Sequence, residues 1–332
     1  MVREPRRSIL VVLLVVVLGA CAVAGSAFFG RVGPQPDGTG VTPNHWLLTP
    51  AGHQVEIGDR PLGIATTPDG RYLLISNNGQ GEQSLVLFDT ATQKVVQTVP
   101  YRSPEALFLG IAVTPDGRRV YASAGGNNKI RIYDFDGRVM AERPPISLGD
   151  AKAWIYPAGL AISPDGAVLY AALNLENAVV FIGTATGQMH ARVRLAPPAR
   201  ADDIGALPYA LVQAREKLYV SEWNGGGVSV IDIDQQRLLQ RIPTGGHASG
   251  LALSPDRKRL YLANATSDTV SIVDTSTDAV VGTVDLSPYP GAPMGSMPNA
   301  LAVAPDGHTL YVANGAITMS PSWILRPSAS AG

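Results

Sequence analysis

Five histidines, His45, His53, His190, His247 and His308, are the first side chains to test for chemistry, because imidazole is both a ready general base and a common metal ligand near neutral pH. They are scattered, and no His-x-x-x-His spacing brings two rings onto one ion. No Gly-x-Ser-x-Gly elbow and no Walker-type phosphate loop occurs. Gly225-Gly226-Gly227 is a tight connection with no helix after it, and the adjacent acids Asp202-Asp203 diverge into a solvated loop. The sequence therefore assigns no catalytic residue, no metal ligand set and no cofactor. Glu105, Glu176, Glu222 and Asp268 are the acids from which a single divalent metal site could be built. The better material is for binding: Trp154, Tyr156, Tyr209, Trp223, His247 and Asn299 offer aromatic faces and amide or imidazole groups that stack on and hydrogen-bond to a ligand.

The elements that must position these groups form an internal repeat. Its anchor is a tetrapeptide turn, Thr67-Pro68-Asp69-Gly70, Thr114-Pro115-Asp116-Gly117, Ser163-Pro164-Asp165-Gly166, Ser254-Pro255-Asp256-Arg257 and Ala304-Pro305-Asp306-Gly307, with a worn copy at Val212-Gln213-Ala214-Arg215. An aromatic follows in fixed register at Tyr121, Tyr170, Tyr219, Tyr261 and Tyr311, with Leu74 in the first copy. An Asp closes an alternating run further on, at Asp89, Asp134, Asp232 and Asp274. Copies recur roughly every 40 to 50 residues, the period of propeller blades.

One copy reads as four short strands. Gly159 to Ser163 is a strand of small residues, and Ser-Pro-Asp-Gly is a type I turn in which Pro presets φ. Val168 to Ala172 returns, Val228 to Asp232 and Val270 to Asp274 show the alternation of a third strand, and Ala279 to Asp285 is an outer one. The expected fold is an all-β propeller of four-stranded antiparallel blades over residues 44–315. Five blades are complete, and a sixth is expected to be closed by N-terminal strands at His45 to Thr49 and His53 to Gly58. Antiparallel alternation puts the Pro-Asp turns on one face and the binding candidates on the other. The repeated Asn77, Asn174, Asn264 and Asn314 read as turn formers, the repeated Tyr as blade packing, and the third-strand Asp as the cap of the turn after it.

Bulk composition sets limits on partners. The chain has 332 residues, 45% hydrophobic and 16% charged, with a formal net charge of −1, so it can bury a large core and has no basic stripe for nucleic acid. Arg3, Arg6 and Arg7 precede an apolar run from Ile9 to Leu18 and then Gly19-Ala20-Cys21, the layout of an export signal. Three outcomes stay open: acylation at Cys21, which is the one cysteine of the chain, cleavage near Ala22-Val23-Ala24, or an uncleaved anchor of about 20 residues running to Phe29. Each places the propeller outside the cytoplasm, in the cell envelope. Residues 1–29 are thus read as signal or anchor, 30–43 as a Gly/Pro-rich tether, and 316–332 as a tail outside the repeat.

Leu310 to Asn314 (Leu-Tyr-Val-Ala-Asn) and Val270 to Asp274 (Val-Ser-Ile-Val-Asp) resemble the repeats of YVTN-type propellers, including YncE-like proteins, whose norm is seven blades. Leu48 to Gly52, Leu218 to Trp223 and Pro290 to Ala300 further resemble the propeller half of exported proteins in which an alkaline-phosphatase-type phosphoesterase domain follows. That second half, with its metal-binding residues and nucleophile, is not in this sequence. With no catalytic constellation in the sequence, the favoured reading is an exported, membrane-held, non-catalytic binding or scaffold module with a protein or glycan partner at its loop face. The alternatives are a metal-dependent propeller hydrolase or lactonase, the propeller half of a phosphoesterase fusion, and a quinoprotein or haem dehydrogenase domain. The last lacks any Cys-x-x-Cys-His attachment motif.

Overall fold

The computed structural model describes residues 32–42, 47–49, 54–195, 204–291, 295–315 and 322–324, the last three for backbone only. The chain divides into two compact units, Met1–Val55 and Glu56–Gly332. In the first unit, Gly33–Pro34, Gly40–Val41 and Leu47–Leu48 pair into a three-stranded antiparallel sheet. Leu47–Leu48 thus finds its partner in Gly40–Val41, where the sequence suggested pairing with the sixth blade, and residues 54–58 carry no strand. Residues 44–46 and 50–53 lie outside the described residues, as does Cys21.

The second unit is a series of antiparallel meanders. Blade one comprises Pro61–Thr66, Tyr72–Asn77, Gln83–Asp89 and Lys94–Tyr101. Blade two comprises Ile111–Val113, Arg119–Ser123, Lys129–Phe135 and Met140–Ser147. Blade three is Pro157–Ile162, Val168–Leu173, Ala178–Gly183 and Met189–Arg194. Blade four is Pro208–Ala214, Lys217–Glu222, Gly227–Asp232 and Arg237–Pro243. Blade five is Ala248–Leu253, Arg259–Asn264, Thr269–Asp274 and Ala279–Asp285. Blade six has Pro298–Val303, Thr309–Asn314 and Ser322–Ile324. Its third strand pairs with Thr309–Tyr311 and comes from the segment that the sequence placed outside the repeat. Among the described residues there is no α-helix, and no helix is long and apolar enough to cross a membrane.

The core lies between blades. Each first strand packs against the first strand of the next blade, from blade one to blade six. In the second and third strands, alternate residues point forward and backward along the series, as pleating demands. Tyr121 and Ile130 of blade two therefore meet Leu169, Val180 and Ile182 of blade three. Tyr170, Val179 and Phe181 of blade three meet Leu218, Val220 and Ile231 of blade four. A buried side chain of this kind contributes about 1.5–3 kcal/mol relative to exposure, so each blade depends on its neighbours. Tyr121, Tyr170, Tyr219 and Tyr261 are buried in this way, whereas Tyr311, with no following blade among the described residues, is 52% exposed.

The Pro-Asp turns close as their composition requires. In blade one Asp69 Oδ1 accepts hydrogen bonds from Thr67 Oγ1 and Arg71 N at 2.5 and 3.0 Å, and blades two, three and five repeat the pair around Asp116, Asp165 and Asp256. The hydroxyl partner holds each of these carboxyls below its ordinary value. The third-strand carboxylates Asp89, Asp232 and Asp274 cap the following turn, whereas Asp134 pairs with Arg119 and Arg143. The Arg71 guanidinium lowers Asp89 to about 2, and the Ser276 hydroxyl does the same for Asp274. A lowered folded value favours the ionised form, so this stability is present above the unfolded value of 3.8 and is lost as pH falls through 2. Urea midpoints should be flat from pH 7 to about 5 and then fall steadily toward pH 2. A midpoint that stays constant down to pH 2.5 would contradict this linkage.

Two expectations change here. Blade four keeps Val212 to Ala214 in its first strand and turns through Arg215 and Glu216 alone, with Ala214 opposite Lys217 and Arg215 at φ +55°. The worn copy is a shortened two-residue hairpin. Asn77 and Asn264 are not turn formers but are fully buried, donating to Ser84 Oγ and to Ser271 Oγ respectively. Each ties its second strand to its third.

Candidate aromatic binding mouth

At the ends of the strands opposite the Pro-Asp turns, a recurring backbone device shapes the loops. Arg60, Tyr156, Leu207, His247 and Met297 each immediately precede a first strand, and all have φ between +49° and +54°. Left-handed backbone is unfavourable for such residues and persists only where neighbours hold it. The carbonyl of each accepts a hydrogen bond from the residue just after the second strand: Asn78, Asn174, Trp223, Ala265 and Gly315 donate to Arg60, Tyr156, Leu207, His247 and Met297. A side chain just before a third strand secures the N–H side. Asn128 Oδ1 accepts from Tyr156 N at 3.0 Å, Asn177 Oδ1 from Leu207 N at 2.8 Å and Asp268 Oδ1 from Met297 N at 2.8 Å. Blade four has Gly226 at this position, and His247 is left without that clamp.

This frame gathers aromatic rings from blades two to five. Phe108 and Tyr156 meet edge to face at 5.1 Å between centroids, and Phe108 and Tyr209 at 6.5 Å. Tyr209 lies 5.0 Å from Trp223, which stacks on His247 at 5.2 Å with planes 28° apart. Gly125 lets the Tyr156 ring settle close to the turn at 125–127, since a Cβ there would sit 3.1 Å from Cζ. Burial raises the Tyr156 and Tyr209 phenols, with Arg60 partly offsetting the effect at Tyr209, so both hydroxyls stay protonated donors at neutral pH. All five rings are partly exposed, presenting alternating π faces and polar tips.

Four of the six residues anticipated for the binding face, Tyr156, Tyr209, Trp223 and His247, thus come together. Trp154 does not join them. It is 78% exposed on a loop fixed by Asn128 Nδ2, which donates to Asp150 O and Ala153 O at 2.8 and 2.7 Å. Asn299 is exposed on the first strand of blade six. Phe108 escaped the sequence reading. Its signal was available, because it stands where the other first strands begin with Pro61, Pro157, Pro208, Ala248 and Pro298.

The four acids considered for a metal do not converge. Glu105 pairs with Lys129 and with Arg131, a buried guanidinium that also bonds Glu142 and lies 3.8 Å over the Tyr101 ring. Glu176 pairs with Arg192. Buried Glu222 takes Arg241 Nε and Ser229 Oγ, each at 2.5 Å. Asp268 takes three backbone N–H groups. Among the described residues no three His, Cys, Asp or Glu side chains gather as an ion site. Among the described residues, these four acids are engaged separately and do not form one ion site.

Comparison with known proteins agrees with this architecture. Residues 41–280 match the family model described as Lactonase, 7-bladed beta-propeller. The seven-bladed beta-propeller protein Rv1057 of Mycobacterium tuberculosis is 32% identical over 137 residues, covering 40% of this chain and 33% of that protein. The chain thus spans about a third of that relative's length. Among solved structures, U3-55K is similar at a TM-score of 0.64 and 14% identity, covering 79% of this chain and 76% of that one. Kuenenia stuttgartiensis hydrazine synthase is similar at a TM-score of 0.52 and 21% identity, covering 83% and 99%. At such identities these two likenesses show the fold alone. With more than half of its length matched by one family model, this chain belongs to the lactonase family of seven-bladed β-propellers.

Proposed function

We propose that this protein is a non-catalytic binding propeller that takes a glycan on the Phe108–Tyr156–Tyr209–Trp223–His247 mouth. The observation that carries the reading is Trp223, stacked on His247 and tilted against Tyr209 at a position where sister blades carry Asn78, Asn174, Ala265 and Gly315. A large aromatic at the repeat's small or polar position is not needed for the backbone bond made there. Sugar rings stack their C–H faces on such surfaces, and the phenol hydroxyls, imidazole and Arg60 supply hydrogen bonds at the edges. The N-terminal apolar segment, which lies outside the described residues, would hold the module in the cell envelope, as in the exported YncE-like proteins whose propeller half the sequence resembles. In calorimetric titration against a panel of oligosaccharides, Trp223→Ala should weaken binding at least about 30-fold, the loss expected of a central aromatic anchor. Equal affinity of wild type and variant, or no saccharide bound, would sink the glycan reading; capture of a protein by the same mouth would replace it.

The family match favours a second reading, hydrolysis of a lactone. His247 would activate the water, since the described residues of the aromatic mouth include no other general base. It requires that a lactone panel be hydrolysed by wild type and not by His247→Ala. An inactive wild type would eliminate it.

A further inference from the structure

Three loops of blades three and four, at the mouth end of the strands, hold large apolar side chains out in water. Trp154 is 78% exposed, Leu175 39% and Ile204 61%. Hydrogen bonds join the three loops into one frame. Leu175 N donates to Ile155 O at 3.1 Å, next to Trp154, and Asn177 Nδ2 of the same loop donates to Ile204 O at 2.9 Å. The Trp154 turn is itself fixed, because Ala153 N donates to Asp150 O at 3.0 Å and Asn128 Nδ2 donates to Asp150 O and Ala153 O.

The repeat shows that the fold does not require these side chains. Trp154 stands two residues before the left-handed Tyr156, where sister loops place Gly58, Gly205, Gly245 and Gly295 before Arg60, Leu207, His247 and Met297. Leu175 makes the backbone bond that Gly79, Asn224 and Thr266 make in other blades. Blade three thus puts Trp and Leu where its sisters have small or polar residues, and leaves both in water. Grouped exposure of this kind marks an interaction surface, whereas single exposed apolar residues do not. Tyr289 and Met297, 61% and 41% exposed on the loop before blade six, add to the same end. The described loops at the Pro-Asp end expose one such side chain, Val139.

We infer that this loop end docks onto a lipid bilayer, with Trp154 at the headgroup level and Leu175 and Ile204 beside it at the acyl boundary. Trp suits that level because its ring is apolar and its indole N–H polar, and the exposed Lys152 next to it can reach a lipid phosphate. The apolar run at residues 9–29 selects a bilayer as the partner. With 31 residues between Phe29 and Pro61, an anchored chain keeps blade one close to the membrane, and weak apolar contacts then suffice because docking is intramolecular. The choice of partner rests on the anchor reading given above, whereas the exposed loop frame does not.

The test reconstitutes the full chain into phosphatidylcholine vesicles with and without bromine on the acyl chains, since bromine quenches a tryptophan that touches lipid. Flotation reads the anchor. The emission of Trp154, taken as wild type minus Trp154→Phe, reads the docking: it should fall about twofold or more in brominated vesicles and move to shorter wavelength. Leu175→Asn combined with Ile204→Ser keeps Trp154 and should restore at least about half of the lost emission. All three side chains are exposed, so thermal midpoints should match wild type, and a lost signal cannot then be ascribed to unfolding. Failure to float overturns the anchor and the docking together. Flotation with Trp154 emission unaltered by bromine, as when these loops hold a protein instead, overturns the docking alone. Equal quenching in wild type and the double variant overturns it too.

Discussion

Gly110→Ala is expected to destabilise the propeller by about 3 kcal/mol or more, the upper range of overpacking penalties, because the added methyl has no soft neighbour to displace. A Cβ on Gly110 would lie 2.1 Å from Ala158 O, and 2.9 Å from both Leu160 Cγ and Ser123 Oγ. The first contact is backbone of the next blade's innermost strand. Relieving it means separating two blades whose shared face carries Tyr121, Ile130, Leu169 and Val180. Gly63, Gly159 and Gly250 make the same approach to Leu109 O, Tyr209 O and Asn299 O, at 2.1, 2.4 and 2.6 Å. The glycine is therefore a spacing device rather than a dihedral one, and two substitutions separate these roles. Gly70 sits at φ +70° with nothing within 4 Å of its Cβ, so Gly70→Ala should cost only the left-handed penalty of about 1–2 kcal/mol. Ala210, at the same register in blade four, already carries the methyl, and Ala210→Gly should cost at most about 1 kcal/mol. Urea denaturation of the three variants checks the order. A Gly110→Ala protein that unfolds at the wild-type midpoint would show that the blades can part at little cost.

How much of this was legible in the sequence follows from what repeats. The Pro-Asp turns, the forward-facing Tyr and the third-strand Asp recur as residue identities, and each has a local reason tied to its own turn or strand. Those features placed the blades and the two ends of the strands. The clamps did not show, because Asn128, Asn177 and Asp268 bind backbone N–H groups 28, 30 and 29 residues away, and a backbone donor leaves no mark in the sequence. Their residue types also differ from blade to blade, with Gly226 in blade four. The shortened hairpin at Arg215 and Glu216 was misread because counting back from Tyr219 at the usual spacing lands on Val212 to Arg215, most of which is the end of the first strand and not a turn. The mouth was half visible. Tyr156, Tyr209, Trp223 and His247 break the repeat and were picked out, Phe108 breaks it too and was overlooked, and only the fold shows that Trp154 stands apart. The burial of Asn77 and Asn264 was hidden because asparagine is a turn residue more often than a strand-to-strand tie.

Asp268→Ala should be the most damaging change outside the hydrophobic interfaces. The carboxylate is 3% exposed and makes no ion pair among the described residues, yet it accepts from Gly295 N at 2.6 Å, Ser296 N at 3.1 Å and Met297 N at 2.8 Å. Hydrogen bonds to an ionised acceptor contribute about 1.5–3 kcal/mol each, and their removal strands three donors that the folded loop keeps from water. A loss of about 3–5 kcal/mol is expected, similar to removal of one partner from a buried charge pair. Asn128 and Asn177 show what an amide does at this position: each accepts from one backbone N–H and donates Nδ2 to a carbonyl of the same loop, at Ala153 and at Ile204. Among the described residues, the loop before blade six gives Asp268 three donors. Asp268→Asn therefore keeps acceptors but turns an N–H against Gly295 N, and should fall between wild type and Ala. Amide exchange at Gly295, Ser296 and Met297 should quicken in the order wild type, Asn, Ala, because these are the donors released and Met297 loses the bond that helps hold it at φ +49°. Exchange rates that are the same in all three proteins would mean that the turn at 295–297 is held by its own packing and that the carboxylate merely fills space beside it.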